Sequence, residues 1–431
     1  GLTMARKMKD SGIEWIGEIP EGWEITKIKH IVSSVTDIDH FMPDSAEFGI
    51  PYLMIGDLKD LSSSIDWDSS KKISIEDYKK LSIKSRPQIG DIIFARYASI
   101  GTTCYIDTDR DFLVSYACLT IHPSDLIIGK FLSYYLKSSS FAEDVLRRTN
   151  SNTQGNVGKD SLVNATIVLP SIIEQTQIVN FLDAKCSDIN AMLSKTRASI
   201  EEYKKLKQAV ITQAVTKGVR SEQEMKDSGV EWIGKVPSKW NCIKIKYLFE
   251  IRKRIAGKEG YTVLSITQTG IKPKNISSNE GQLADSYSNY QLLYSGEFAM
   301  NHMDLLTGWV DISNYNGVTS PDYRVFSLKD TITNHPRYFL YLMQSCYFNR
   351  IFYSMAQGVS NLGRWRLQSD KFLNCIFPVP SIEEQKEISD YLDTTCSEID
   401  KLIAKKEQLA KELESYKKSL IYEVVTGKRE V

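Results

Sequence analysis

Apolar and polar positions along the chain follow two rhythms, and each rhythm occurs twice. Short β-branched or aromatic runs bounded by Gly, Asp and Pro come first, at 51–55, 91–95, 102–106 and 115–121. Such runs predict strands. Residues 126–137 and 141–148 carry helical spacing, and another strand is expected near 166–169. The same order returns later, with strands predicted at 262–266, 296–300, 309–312 and 323–328, a helix at 337–345 and a last strand near 374–377. Both regions are expected to be α+β.

The second rhythm follows each region. After a short helix expected at 172–182, residues 184–216 contain neither Pro nor Gly. Apolar residues fall at Ile189, Met192, Tyr203, Leu206 and Val210 in this run, and at Ile399, Leu402, Leu409, Leu413, Tyr416 and Leu420 in a second run. Spacings of three, four and seven predict a heptad seam in which the two helices pair. Gly218 and Gly427 stand where left-handed caps would end them. A helix of about 33 residues would reach roughly 50 Å, about 15 base pairs of B-form DNA.

The duplication is explicit in the residues themselves. Met8-Lys-Asp-Ser-Gly-Ile-Glu-Trp-Ile-Gly-Glu-Ile-Pro-Glu-Gly-Trp23 returns 217 positions later as Met225 to Trp240, with 11 of 16 residues identical. Pro170-Ser171-Ile172, Glu174-Gln175, Leu182-Asp183, Cys186 and Ile189 return 210 positions later as Pro380-Ser381-Ile382, Glu384-Gln385, Leu392-Asp393, Cys396 and Ile399. An offset of 210 is thirty heptads, so both helices keep one register. Between the repeated flanks the two interiors hardly resemble each other. One scaffold therefore carries two different recognition surfaces, related by a pseudo-two-fold axis. Duplex DNA is a common object for such a molecule.

Composition bounds the rest. A chain of 431 residues with 42% hydrophobic and 25% charged residues is ordinary for globular protein. The seven cysteines are scattered without a CxxC pair, so no disulfide framework or zinc site is signalled. No apolar run is long enough to span a membrane, and no signal-peptide layout opens the chain, so a cytoplasmic location is expected. With 54 basic and 54 acidic residues, bulk phosphate attraction is not the main grip on a nucleic acid.

The tandem frame, the Pro-Ser-Ile…Glu-Gln…Leu-Asp helices and the strand Gly90-Asp-Ile-Ile-Phe-Ala-Arg96 together make the chain resemble the specificity subunit of bacterial type I restriction–modification enzymes. The likeness spans essentially the whole chain. It implies two globular target recognition domains separated by two long antiparallel helices that form a coiled coil, each domain reading half of a bipartite, asymmetric DNA site. The segmentation expected is recognition domain 1–170, helical spacer 171–218, recognition domain 219–380 and helical spacer 381–431. The opening segment of each copy would pack beside the helix end of the other. The resemblance further implies two methylation subunits and restriction subunits as partners, with S-adenosylmethionine, ATP and Mg²⁺ bound on those partners and no cofactor in this chain. Its second half departs from the pattern, with Gly296-Glu-Phe-Ala-Met-Asn301 in place of Gly90 to Arg96.

Base edges are read by amide, guanidinium, ammonium and hydroxyl groups. In the first region Arg96, Tyr97, Ser99 and Thr102 surround a hairpin tip, and Arg147, Arg148, Asn152, Gln154, Asn156 and Lys159 are expected in a later loop. In the second, Asn301 and His302 occupy the matching tip, and Gln357, Asn361, Arg364 and Arg366 the later loop. Catalytic signals are poor by comparison. Ser320-Pro-Asp-Tyr323 departs from the base-holding motif of amino-methyltransferases. Pro43-Asp44 with Asp77-Tyr-Lys79 would be needed for a Mg²⁺-dependent nuclease, and the second copy has no equivalent. The five histidines show no metal spacing. Trp15, Trp23, Trp232 and Trp240 are expected to pack against the long helices. A coiled-coil scaffold without a nucleic acid partner is the remaining alternative.

Overall fold

The computed structural model describes residues 6–148, 156–275, 286–358 and 365–431. It divides into two compact units, one of residues 1–197 with 408–431 and the other of residues 198–407. Each unit thus takes a part of both long helices, and an opening segment from one copy lies in the same unit as the helix end of the other copy.

The central sheet of the first unit is antiparallel, in the order Val32–Thr36, Cys118–Pro123, Ile92–Ala95 and Thr103–Tyr105. That of the second unit has the same order: Phe249–Arg252, Arg324–Leu328, Phe298–Met300 and Val310–Ile312. The central strands Ile92–Ala95 and Phe298–Met300 are buried throughout, which is why they read as unbroken apolar runs rather than as alternation. Helices Gly129–Leu136 and Ser139–Arg148 cover the first sheet, and Pro336–Phe348 stands in the place of the former in the second unit. Thr166–Leu169 pairs with Glu24–Lys27, and Ile376–Val379 with Asn241–Lys244. The strands and helices expected within the two globular regions are all present, with ends shifted by at most three residues.

The long helices run without interruption from Ile172 to Lys217, 46 residues, and from Ile382 to Val425, 44 residues. The expected break after residue 182 does not occur, because no helix-breaking residue separates the two segments. At 1.5 Å per residue the first extends about 69 Å. Inward-facing positions along it are Cys186, Ile189, Leu193, Thr196, Ile200, Tyr203, Lys207 and Val210. Along the second they are Cys396, Ile399, Ile403, Lys406, Ala410, Leu413, Lys417 and Leu420. The two sets match residue for residue at the offset of 210. The expected pairing residues Met192, Leu206, Leu402, Leu409 and Tyr416 are 41–50% exposed and lie beside this seam. The seam alternates three and four from Cys186 and Cys396, and these five side chains stand one position before it.

Within each unit the helix segments are antiparallel. In the first, Arg197 pairs with Glu414 at 2.5 Å and Lys417 Nζ donates to Asn190 Oδ1 at 2.9 Å. In the second, Lys207 pairs with Asp400 at 2.7 Å, and Lys406 Nζ lies 5.7 Å from the Tyr203 ring centre. Lys207–Asp400 and Lys417–Asn190 are equivalent under the repeat. Lys207, Lys406 and Lys417 at seam positions each find a partner on the other helix, which selects a register that apolar contacts alone leave loose.

The helix ends seat the opening segments. Lys428 Nζ donates to Ile16 O at 2.6 Å, and Lys217 Nζ to Ile233 O at 3.0 Å. Gly218 and Gly427 have φ of +79° and +74°. A Cβ on Gly427 would fall 2.3 Å from Pro20 Cδ, so both backbone conformation and space require glycine there. Trp23 and Trp240 are buried beside these ends. Trp23 Nε1 donates to Glu174 at 3.0 Å, and Arg6 pairs with the same carboxylate. Burial would raise Glu174, but the hydrogen bonds from Trp23 and Ser171 and the charge of Arg6 hold it below the usual carboxylate range. The repeated Gln of the Glu-Gln pair also has a task. Buried Gln175 accepts from Ile128 N at 2.8 Å and donates to Leu126 O and Pro170 O, while Gln385 accepts from His335 N at 2.7 Å and donates to Thr333 O and Pro380 O. Each latches the loop ahead of a covering helix to the start of a long helix.

Candidate nucleic-acid interface

Two chain segments far apart in sequence meet at one backbone hydrogen bond in each unit. In the first, Val157 N donates to Arg96 O at 2.9 Å; in the second, Leu367 N donates to His302 O at 3.0 Å. The hairpin tip and the end of the later loop therefore lie side by side in both copies.

Arg96 leaves the buried strand Ile92–Ala95 and is half-buried. Its Nη1 lies 3.5 Å from Asp37 Oδ2, and its guanidinium sits 5.7 Å from the Tyr97 ring centre. Asp37 and the ring fix the direction of a side chain that would otherwise sample many rotamers. Tyr97 and Ser99 are exposed. Ser99 O accepts from both the backbone N–H and the hydroxyl of half-buried Thr102, which closes the tip. Asn156 and Lys159 are exposed, the latter opening the short helix Lys159–Asn164.

Arg147 and Arg148 belong to the last turn of Ser139–Arg148, not to a loop. Arg147 pairs with Glu143 at 2.9 Å and lies 4.7 Å from the Trp15 ring centre; Arg148 pairs with buried Asp144 at 2.8 Å. Carboxylates one helical turn earlier extend the helix through both arginines and occupy them. Asn152 and Gln154 lie outside the described residues, as do Asn361 and Arg364.

In the second unit Asn301 is turned inward on its own backbone, its Oδ1 accepting from Met303 N at 3.1 Å and Asp304 N at 3.3 Å. His302 was expected to read a base, but it is only 7% exposed. Burial and the nearby charges of Arg324 and Arg366 push its pKa down to about 3, so it packs as a neutral ring. Gln357 pairs through its backbone with Arg366, which is exposed. Beneath them lies buried Arg324, which no expectation included. Its Nη2 donates to Leu367 O at 3.0 Å and to Ser369 Oγ at 3.2 Å, and its guanidinium stacks 4.6 Å from the Phe372 ring centre. Burial first and then Arg366 lower its pKa to about 10, which leaves it charged at neutral pH. A charged arginine on a strand that reads as apolar gives no signal in sequence, because its partners lie some forty residues away.

These surfaces can offer hydroxyl, amide and guanidinium groups to a polar partner. No group of three or more His, Cys, Asp or Glu able to hold a metal ion occurs among the described residues. Asp77 accepts from Ser74 Oγ at 3.0 Å in the cap of helix Ile75–Leu81, and Ser320–Tyr323 is a turn closed by Tyr323 N donating to Ser320 O at 3.1 Å. No helix of the described residues is long and apolar enough to cross a membrane.

Residues 20–202 and 237–414 each match the family model of the type I restriction modification DNA specificity domain. The chain is similar over 96% of its length, at 26% identity, to a putative type I restriction enzyme MjaX specificity subunit of Methanocaldococcus jannaschii, of which 95% is covered. It is 23% identical to the MjaVIII specificity subunit of the same organism, over 95% of this chain and 93% of that one. A solved chain from a study of complex assembly and conformational transition in the type I R-M system superposes with a TM-score of 0.68, over 95% of this chain and 99% of that one, at 15% identity. The last likeness is one of fold.

Proposed function

The chain belongs to the family of type I restriction–modification DNA specificity domains, and from that premise we propose that it is the non-catalytic recognition subunit of such an enzyme. Each globular region reads one half of a bipartite, asymmetric DNA target. The observation that carries this reading is the duplicated surface, in which the same two loops are joined by the same hydrogen bond in both copies while their side chains differ. Phosphate contacts from surface cations position the protein, and the loop groups discriminate bases. In the first copy these are Arg96, Tyr97, Ser99, Thr102, Asn156 and Lys159; in the second, Arg366 and the neighbouring loop.

In this proposal the long helices set the unspecified spacer and dock two methylation subunits, and restriction subunits join the assembly. S-adenosylmethionine, ATP and Mg²⁺ belong to those partners. The complex works in the cytoplasm, where its DNA lies.

Fluorescence anisotropy of the chain assembled with methylation subunits tests the reading against mixed DNA fragments. Sequence-selective retention is expected; retention of none, or of all equally, returns the molecule to a coiled-coil scaffold. Deleting one heptad from each long helix changes the spacer and leaves both half-sites as they were, and a changed base preference would overturn the ruler role. Arg96→Ala weakens binding to the cognate fragment by about tenfold, within the roughly 1–3 kcal/mol of a bidentate base contact.

A further inference from the structure

Each globular region touches its long helix through a second, polar contact that repeats between copies. In the first unit Lys130 Nζ pairs with Asp183 Oδ2 at 2.5 Å and Tyr134 OH donates to Asp183 Oδ1 at 2.8 Å. In the second unit Arg337 pairs with Asp393, and Tyr341 OH donates to Asp393 Oδ1 at 2.6 Å. The cation and the tyrosine are one helical turn apart on Gly129–Leu136 and on Pro336–Phe348. The two aspartates are equivalent under the repeat, following Leu182 and Leu392.

Beside each clamp the surfaces are not packed together. A groove of about 310 Å³ is lined by Lys130, Tyr134 and Asp183 in the first unit, and one of about 990 Å³ by Arg337, Tyr341 and Asp393 in the second. Apolar side chains resist rotation only where they interlock. Around each groove the covering helix and the long helix share a buried core, Leu132 and Leu136 with Leu182 and Cys186 in the first unit and Tyr338 and Leu342 with Ile388 and Leu392 in the second. The carboxylate with its two donors adds a directed contact to that packing. The Gln175 and Gln385 latches hold one end of each covering helix, and the clamp adds a second directed polar point further along it.

We infer that the Lys130–Tyr134–Asp183 and Arg337–Tyr341–Asp393 clamps are positioning devices that set how strictly the complex measures the spacer between half-sites, without reading bases themselves. This rests on the recognition reading above. A loosened clamp lets one recognition surface swing on its helix, so targets one base pair too long or too short become tolerable while base preference stays unchanged.

The test uses the chain assembled with its methylation subunits and duplexes carrying the target mapped by adenine methylation, with the native spacer and with one base pair more or fewer. Asp183→Asn and Asp393→Asn are expected to lower the preference for the native spacer by about three- to tenfold, the range a typical net hydrogen-bond contribution supports. Lys130→Arg and Arg337→Lys keep that preference, since each retains a donor. Tyr134→Phe and Tyr341→Phe, which remove one hydroxyl each, carry the test if an asparagine variant fails to fold, and are expected to lower the preference in the same direction. An unchanged spacer preference in folded variants overturns the clamp, as does a changed base preference within a half-site. A wild-type complex that retains no sequence selectively overturns the recognition reading itself, which is a different result.

Discussion

His302 is buried near the charges of Arg324 and Arg366, and that placement has a measurable consequence. Its folded pKa of about 3 is below the ordinary histidine value of 6.5. Protonation is therefore harder in the folded state than in the unfolded one. The neutral ring contributes its full stability above pH 6.5, and that contribution declines as pH falls from 6.5 toward 3, by an amount on the order of a few kcal/mol. His302→Phe is expected to flatten the pH dependence of unfolding across that window, measured by urea titration at a series of pH values. An unchanged slope would mean that the ring is not held neutral. Arg324 is the complementary case. It is buried with its charge retained, and its donors go to Leu367 O and Ser369 Oγ. It supports the segment at Leu367 and Ser369 from below, where a base-reading side chain would be of no use. Nothing in the residue types around 302 and 324 separates a surface group from a supporting one. The distinction depends on which loop lies above which strand.

The long helices bring the same issue to a larger element. Ile189 and Met192 are three residues apart and similarly apolar, yet Ile189 is buried in the seam and Met192 is half-exposed. Ile189→Ala should cost about 2–4 kcal/mol, through lost burial and a residual cavity. Met192→Ala should cost less than about 0.5 kcal/mol, as surface substitutions do. Equal losses in thermal or urea unfolding would show that the seam has been misplaced. The existence of the helices, their caps and their common register were legible in the chain, because a repeat at a multiple of seven is a strong periodic signal. The seam itself was displaced at five positions, three of them because apolar character alone favours Leu206, Leu409 and Tyr416 over Lys207, Ala410 and Lys417. Lys207 and Lys417 occupy seam positions by pairing across to Asp400 and Asn190 of the other helix, contacts that composition does not reveal. The strands were legible for the opposite reason: the central ones are buried on both faces and bounded by turns. The clamps were half visible, because Asp183 and Asp393 belong to the repeat, but their lysine, arginine and tyrosine partners are some fifty residues earlier.

Across the whole molecule the repeat is joined covalently at only one of its two equivalent junctions. Six residues, 219–224, connect the glycine cap at 218 to the opening segment that begins at Met225. The other opening segment begins at Met8 and is seated on the helix end capped by Gly427, through Lys428 and Gly427 itself. If Val431 were fused directly to Arg6, residues 428–431 with 6 and 7 would again make a six-residue connector between cap and strand. Pairs that already meet, Arg6 with Glu174 and Tyr422 with the Trp15 carbonyl, would then lie on one continuous chain. New ends could be opened between residues 221 and 222, which belong to the natural connector and to no helix or strand. A permuted chain of this kind is expected to keep its fold and its two half-site specificities, because every seam, latch and clamp joins residues the cut leaves intact. Circular dichroism through a thermal ramp and anisotropy on the cognate duplex check both expectations. Loss of folding would mean that the connector at 219–224 is more than a tether. Retained folding with altered half-site preference would mean that it also orients the second recognition surface.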